Sequence, residues 1–443
     1  MAVGMAIGRA QVQQIRTAFD TTWSSLAPMG RDPATGGYRR FAWTAVDLDL
    51  RAWFSAQAQA RRLAVETDRN GNQWAWWGAP ADGAVVTGSH LDSVPGGGAF
   101  DGPLGVVGAF LALDDLIARG VQPQRPLAIV NFVDEEGARF GIACAGSRLL
   151  TGALDPDRAR ALRDENGGTL AEAMSAAGLD PRWIGRDREA ERRIGVFVEL
   201  HIEQGRHLAV LDRPVGVASS IRPHGRWRFC FKGEGNHAGT TMIADRRDPM
   251  LPFADAVLAA RRATIDSGVP DAVATFGRVR VDPNGTNAIP VQVDAWLDAR
   301  ADRTGTVEAI VEAISRAGSV AAAAHGVTFD VERESWAPVV DFDVTLRDRL
   351  AMVLASEGVG APVLATGAGH DAGVLAATVP TAMIFARNPT GVSHSPLEHT
   401  SEDDCVAGIA ALSATLENLL TEALQVVDAD HRPDAAETTG SIR

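Results

Sequence analysis

Hydrophobic positions along this chain fall into two kinds of run. One kind is short, continuous and apolar, as in AVVTGSHLDS (84–93) and PLAIVNFVDEEG (126–137), and each breaks off into polar loop. The other repeats at helical spacing, predicting helices over 10–29, 48–62 and 104–119. Between them RDPATGGYRR reads as loop, and AVETDRNGNQWAWWG reads as a hairpin turning at Asn-Gly. Buried strands alternating with helices predict an α/β fold with a mostly parallel sheet. In such sheets functional groups collect beyond the carboxyl ends of the strands. His90 and the pair Glu135 and Glu136 both fall just past the end of an apolar run.

The middle of the chain is patterned differently. RWRFCFKGEG (226–235) alternates like a half-buried strand and is followed by the polar loop NHAGTTMIADRRDP. Helical spacing over 251–266 and 306–325 flanks two or three strands within 272–302, and VTFDVERESW adds one more. Asp248 before Pro249 reads as an N-cap with proline in the first turn. Two helices against alternating strands make a separate α+β layer. It is placed as an insertion over 216–337, within a larger domain formed by 1–215 and 338–443. The large sheet resumes with APVLATGAGHDAG and TAMIFARNPTG.

At 443 residues the chain is long enough for two domains with cores of their own. A net charge of −14 argues against nucleic acid and against an anionic membrane surface as partners. Cys144, Cys230 and Cys405 are too few and too scattered for a disulfide framework or a CxxC metal site, so a reduced, cytoplasmic protein is the simplest expectation. The start lacks the apolar core of a signal peptide, and no apolar run is long enough for a bilayer. The polar stretch VDADHRPDAAETTGSIR reads as a frayed tail.

The chemistry is concentrated in a few segments. GSHLDSVPGGGAFDGPLGV carries His90, Asp92 and Asp101; VDEEGARFG carries Glu135 and Glu136; ELHIEQG carries His201; GVSHSPLEH carries His394. Imidazole and carboxylate donors scattered in this way suit a pair of divalent cations at a hydrolytic site. Zinc is the first expectation; manganese, cobalt and nickel accept the same donors. The triple glycine 96–98 lacks the Gly-Lys-Ser/Thr of a phosphate-binding loop.

The ordered set HLDS, FDG, DEEGARFG, ELHIEQG, GNHAGTT, NAIP, LDAR, GAGHDAG and GVSHSPLE resembles the dinuclear-metal amidohydrolases that cleave ureido groups. These are the N-carbamoyl-L-amino-acid hydrolases, allantoate amidohydrolases and β-ureidopropionases, within the aminoacylase/carboxypeptidase-like metallopeptidase superfamily. The resemblance runs from about residue 16 to 420. It implies a catalytic domain holding two divalent ions per subunit and an inserted lid that also forms a homodimer. It also implies that His90 and His394 serve different ions, that Asp101 bridges them, and that Glu136 and His201 complete the set. Asp92 then accepts the other ring N–H of His90. With Glu136 taken as a ligand, Glu135 is left as general base. His399 is a rival for His394, but the SHSP context matches the family and HTSED does not.

For the substrate, the resemblance implies that His237 reaches the partner subunit's site and donates to the developing oxyanion. It also implies that Asn287 and Arg300 grip a carboxylate, a role for which a planar guanidinium is well shaped. Gln204 is an amide placed to hold the scissile carbonyl or a ureido nitrogen. Gly369 offers a backbone N–H that a substrate can approach closely. His370 and Asp371 either brace the site or order its loop. Cys144 reads as core, and Arg246 and Arg247 as a helix-start or dimer-contact feature. The expected reaction is hydrolysis of a linear ureido group on a small acid. The alternatives are an aminoacylase or dipeptidase using the same ions, and a metal- or ligand-binding module without turnover.

Overall fold

The computed structural model describes residues 8–421; the polar tail read from the sequence lies outside them. Its centre is a nine-stranded sheet. The strands Ala84–His90, Leu127–Phe132, Ile194–Ile202 and Thr381–Ala386 run parallel through the middle. The hairpin Ala64–Thr67/Gln73–Trp77 adds antiparallel at one edge; at the other, Val215–Ile221 runs antiparallel to Thr381–Ala386 and Val340–Asp341 and parallel to Val363–Thr366. Strand alternation divides the core between the two faces. Val85, Ile129 and Val198 join one apolar cluster, while their neighbours Val86, Val130 and Phe197 join the other.

Helix Pro103–Ala118 is apolar on nearly every side because it is buried on nearly every side. It lies between the sheet and helix Glu402–Thr421. Helices Arg9–Leu26 and Ala45–Ala60 cover the same face. No helix among the described residues is long and apolar enough to cross a membrane.

A separate four-stranded antiparallel sheet holds His224–Lys232, Val273–Asp282, Gln292–Arg300 and Thr328–Ala337. Helices Met250–Asp266 and Thr304–Ala324 pack on it around a core of its own. Val215–Ile221 pairs with Thr381–Ala386 in the large sheet, and the first strand of the four-stranded sheet begins at His224. Pro249 itself caps helix Met250–Asp266, one residue later than expected, and Asp248 accepts the N–H of Met250 at 3.0 Å. Polar contacts join the layers. Arg300 donates to the carbonyl of Gly367 at 2.6 Å, and Arg222 pairs with Asp271 at 2.6 Å.

Candidate metal centre

His90 ends its strand, and Asp101 lies in the loop that enters helix Pro103–Ala118. That entry turns on Gly102 at φ +87°, where a Cβ would stand 2.4 Å from the His90 ring. Glu135 and Glu136 follow strand Leu127–Phe132, His201 sits in Ile194–Ile202, and His394 occupies a left-handed turn (φ +55°) near the end of the chain.

The chain brings these side chains together around Asp101. Its Oδ1 lies 3.2 Å from Nε2 of His201 and 3.9 Å from Nε2 of His90. Its Oδ2 lies 3.4 Å from Nε2 of His394, which is in turn 3.6 Å from Glu136. Two donor groups result, His90/Asp101/His201 and Asp101/Glu136/His394, sharing the one carboxylate. His399 instead faces the ring of Phe100.

The tautomers favour cations. Nδ1 of His201 faces the carbonyl of Ile202 at 2.8 Å and must donate to it, which leaves Nε2 bare. Nδ1 of His90 likewise faces Asp92, at 3.2 Å from its carbonyl and 3.4 Å from its carboxylate. Both Nε2 atoms are buried without a hydrogen-bond partner. Asp92 also accepts the backbone N–H of Glu135 and of Glu136, at 3.1 and 3.0 Å. One carboxylate thus ties the first histidine to the acidic loop.

Charge points the same way. Burial pushes the Glu135 carboxyl well up, and neighbouring Glu136 adds to it. Burial and Asp101 push Glu136 up to about 8. Burial also opposes ionisation of Asp101, but the surrounding histidines outweigh it and hold its carboxyl low. Burial alone would depress His90; the carboxylates Asp92 and Glu135 reverse that and raise it. So many buried acids around so few cationic groups call for added positive charge. The donor set fits two divalent cations of the nitrogen- and oxygen-binding kind.

Around this centre, Glu135 holds its Oε2 3.8 Å from Nε2 of His90, while its Oε1 accepts the Cys144 thiol at 3.2 Å. Cys144 is buried as expected, but it touches the expected base as well as the core. Nε2 of Gln204 donates to Oδ2 of Asp101 and to Ser393, both at 2.9 Å, and its Oε1 is left without a partner. The ring of His370 packs 4.4 Å from that of His201. Asp371 accepts the Ser147 hydroxyl at 2.5 Å, and burial raises it to about 8. Glu199 stands behind His201, bonded to Ser89 at 2.6 Å. Glu199 in ELHIEQG and Glu398 in GVSHSPLE stand within motifs read from the sequence, but neither was assigned a role there.

The expected substrate residues are more spread out. Arg300 and Gln204 line one cavity of about 180 Å³ with His207, Arg222 and Gly367. Gly369 is exposed, with open space where a Cβ would stand. His237 and Asn287 are exposed on the separate layer, where Ala238 N–H donates to the Asn287 carbonyl at 2.9 Å. Nδ1 of His237 accepts the N–H of Gly239 at 3.0 Å, so the ring presents its other nitrogen as a donor. Arg246 grips this loop through the carbonyls of Ala238 and Thr241.

Residues 86–418 match the profile of peptidase family M20/M25/M40. The chain belongs to that family. Among M20/M25/M40 relatives, it is 36% identical over 396 residues to an N-carbamoyl-L-amino acid amidohydrolase of Geobacillus stearothermophilus, covering 88% of this chain and 95% of that one. It is 31% identical over 418 residues to an allantoate amidohydrolase of Escherichia coli, covering 92% and 99%. The structure of a hydantoinase/carbamoylase family amidase from Burkholderia ambifaria superposes with a TM-score of 0.80 at 31% identity, covering 93% of this chain and 98% of that one. The M20/M25/M40 fold accordingly accounts for the mostly parallel sheet with its inserted layer.

Proposed function

We propose that this chain hydrolyses the C–N bond of a linear ureido group on a small carboxylic acid, with allantoate and N-carbamoyl-L-amino acids as the leading substrates. The observation that carries the proposal is Asp101, shared between two nitrogen- and oxygen-donor groups beside a buried glutamate. The names of the relatives supply the substrate class.

His90, His201, Asp101, Glu136 and His394 would hold two divalent cations per subunit, zinc first among the candidates. When bound, such cations supply a water acidified toward neutral pH and a polarised carbonyl. Glu135 takes a proton from the attacking water as its oxygen bonds to the carbamoyl carbon. The same carboxyl then protonates the leaving nitrogen as the C–N bond breaks. For a carbamoyl amino acid, one water yields the free amino acid, carbon dioxide and ammonia.

Asn287 and Arg300 grip the acid, Gly369 offers its N–H, and the free Oε1 of Gln204 accepts from a ureido nitrogen. The layer from His224 to Ala337 acts as lid and dimer surface. Through it His237 of the partner subunit donates to the oxyanion. Its exposure here, with the donor nitrogen unengaged, supports that assignment. The free buried cysteines are in keeping with a cytoplasmic site of action.

The deciding experiment is hydrolysis by metal-reconstituted protein, read as ammonia release from ureido acids and as free amino acid from an N-acetyl compound. Allantoate, N-carbamoyl-L-amino acids and N-carbamoyl-β-alanine are compared with an N-acetyl amino acid and a chelated control. Chelator-sensitive ammonia from a ureido acid is expected. Turnover of the N-acetyl compound alone, with every ureido acid inert, would replace the proposal with an aminoacylase.

A further inference from the structure

The centre is assembled from loops far apart in sequence, so something must fix the distance between them. We propose that Glu398 is a positioning residue that locks the Asp101 loop to the His394 loop and thereby sets the carboxylate bridge. Its Oε1 accepts two consecutive backbone N–H groups, those of Phe100 at 2.9 Å and Asp101 at 3.0 Å. Its Oε2 lies 3.4 Å from the Ser393 hydroxyl, which itself reaches Oδ2 of Asp101 at 3.2 Å. Glu398 is therefore bonded to the backbone of the bridging residue, and the Ser393 hydroxyl, with one proton to give, lies between the two carboxylates.

The loop is shaped to receive it. A Cβ on Gly98 would stand 2.3 Å from Oε1 of Glu398 and 2.5 Å from its Cβ, so only glycine lets this side chain lie flat on the loop. Glu398 is buried although the residues on either side of it, Leu397 and His399, are exposed. Neither of its oxygens lies in the two donor groups around Asp101. It acts on the ions through Asp101, and its part in the reaction is to hold that carboxylate where both groups can use it.

The inference rests on the two-ion reading above, and the experiment separates the two. Mn(II) is titrated into chelator-stripped wild type, Glu398→Ala, Glu398→Gln and Gly98→Ala. Binding of each equivalent is followed together with the exchange-coupled electron paramagnetic resonance signal of two ions sharing a bridge. Wild type takes up two equivalents and shows coupling. Glu398→Ala weakens the second equivalent by about 10- to 100-fold, the range for residues that orient ligands, and loses the coupling. Gly98→Ala does the same with every hydrogen-bonding group intact, because it lifts Glu398 off the loop. Glu398→Gln retains an oxygen for the two N–H groups and an amide for Ser393, and stays within about threefold of wild type. Two coupled ions in both alanine variants would overturn the clamp alone. Equal losses in Glu398→Gln and Glu398→Ala would also overturn it. Fewer than two ions in wild type would overturn the two-ion reading and the clamp with it.

Discussion

Replacing Asp92 with asparagine changes one atom and tests how the first histidine is prepared for a cation. The aspartate has no donors of its own and faces three: the N–H groups of Glu135 and Glu136 and Nδ1 of His90. Asparagine has one acceptor oxygen, so its amide nitrogen must point at a donor in either orientation. With the amide toward Glu136, one buried N–H is left facing another, at about 1–3 kcal/mol. With the amide toward Glu135, the conflict includes His90, whose Nδ1–H keeps only the Asp92 carbonyl at 3.2 Å and loses the carboxylate that fixed the ring. The expected result for Asp92→Asn is metal affinity weaker by about 10- to 100-fold and lower stability in the metal-free form. Competition against a chromophoric chelator reads the first, and denaturant unfolding of stripped protein reads the second. Affinity within twofold of wild type, with an unchanged unfolding midpoint, would refute the role given to Asp92.

Glu135→Gln keeps the shape of the proposed base but cannot take a proton, so turnover should fall about 10²- to 10⁴-fold while metal content, read by atomic spectroscopy, stays at the wild-type level. His237→Ala should lose about 10²- to 10³-fold in kcat. Subunits of these two variants mixed by reversible dissociation should recover roughly a quarter of wild-type activity if His237 acts across a dimer, and none if it acts within its own subunit. Burial pushes the Asp47 carboxyl up to about 6, against about 4 in the unfolded chain. Its contribution is therefore fully present below pH ~4 and lost as pH rises through about 6, a change of up to about 3 kcal/mol. Asp47→Asn should accordingly gain stability relative to wild type between pH 4 and 7, measured by unfolding of metal-free protein; a constant difference across that window would contradict the assignment.

The sequence is most legible where chemistry sits at the end of a regular element. His90 and Glu135 follow uninterrupted apolar strands, so the apolar pattern alone places them at the carboxyl edge of the sheet. His394 is separable from His399 by its motif, and the fold places it against Asp101. Glu398 is illegible for the opposite reason. It closes the quoted motif GVSHSPLE, but the N–H of Asp101 that it accepts lies 297 residues away, and a loop glutamate ordinarily faces solvent. The Cys144 contact with Glu135 is hidden similarly, because burial and function make the same demand on a lone cysteine.

Arg300 is already occupied. Its Nε and Nη2 donate to Asp298, and its Nη1 donates to Gly367 across the joint between the layers. An acid arriving at this guanidinium would meet a cation already paired with Asp298, with two of its five N–H donors left and the rest to be shared or taken from these neighbours. Recognition there is an exchange of partners, and only the difference between old and new bonds counts toward affinity. A poorly fitting acid gains nothing by charge alone, and one that draws Nη1 away from Gly367 also loosens a tie between lid and body. Selectivity and the freedom to release product would then share one residue.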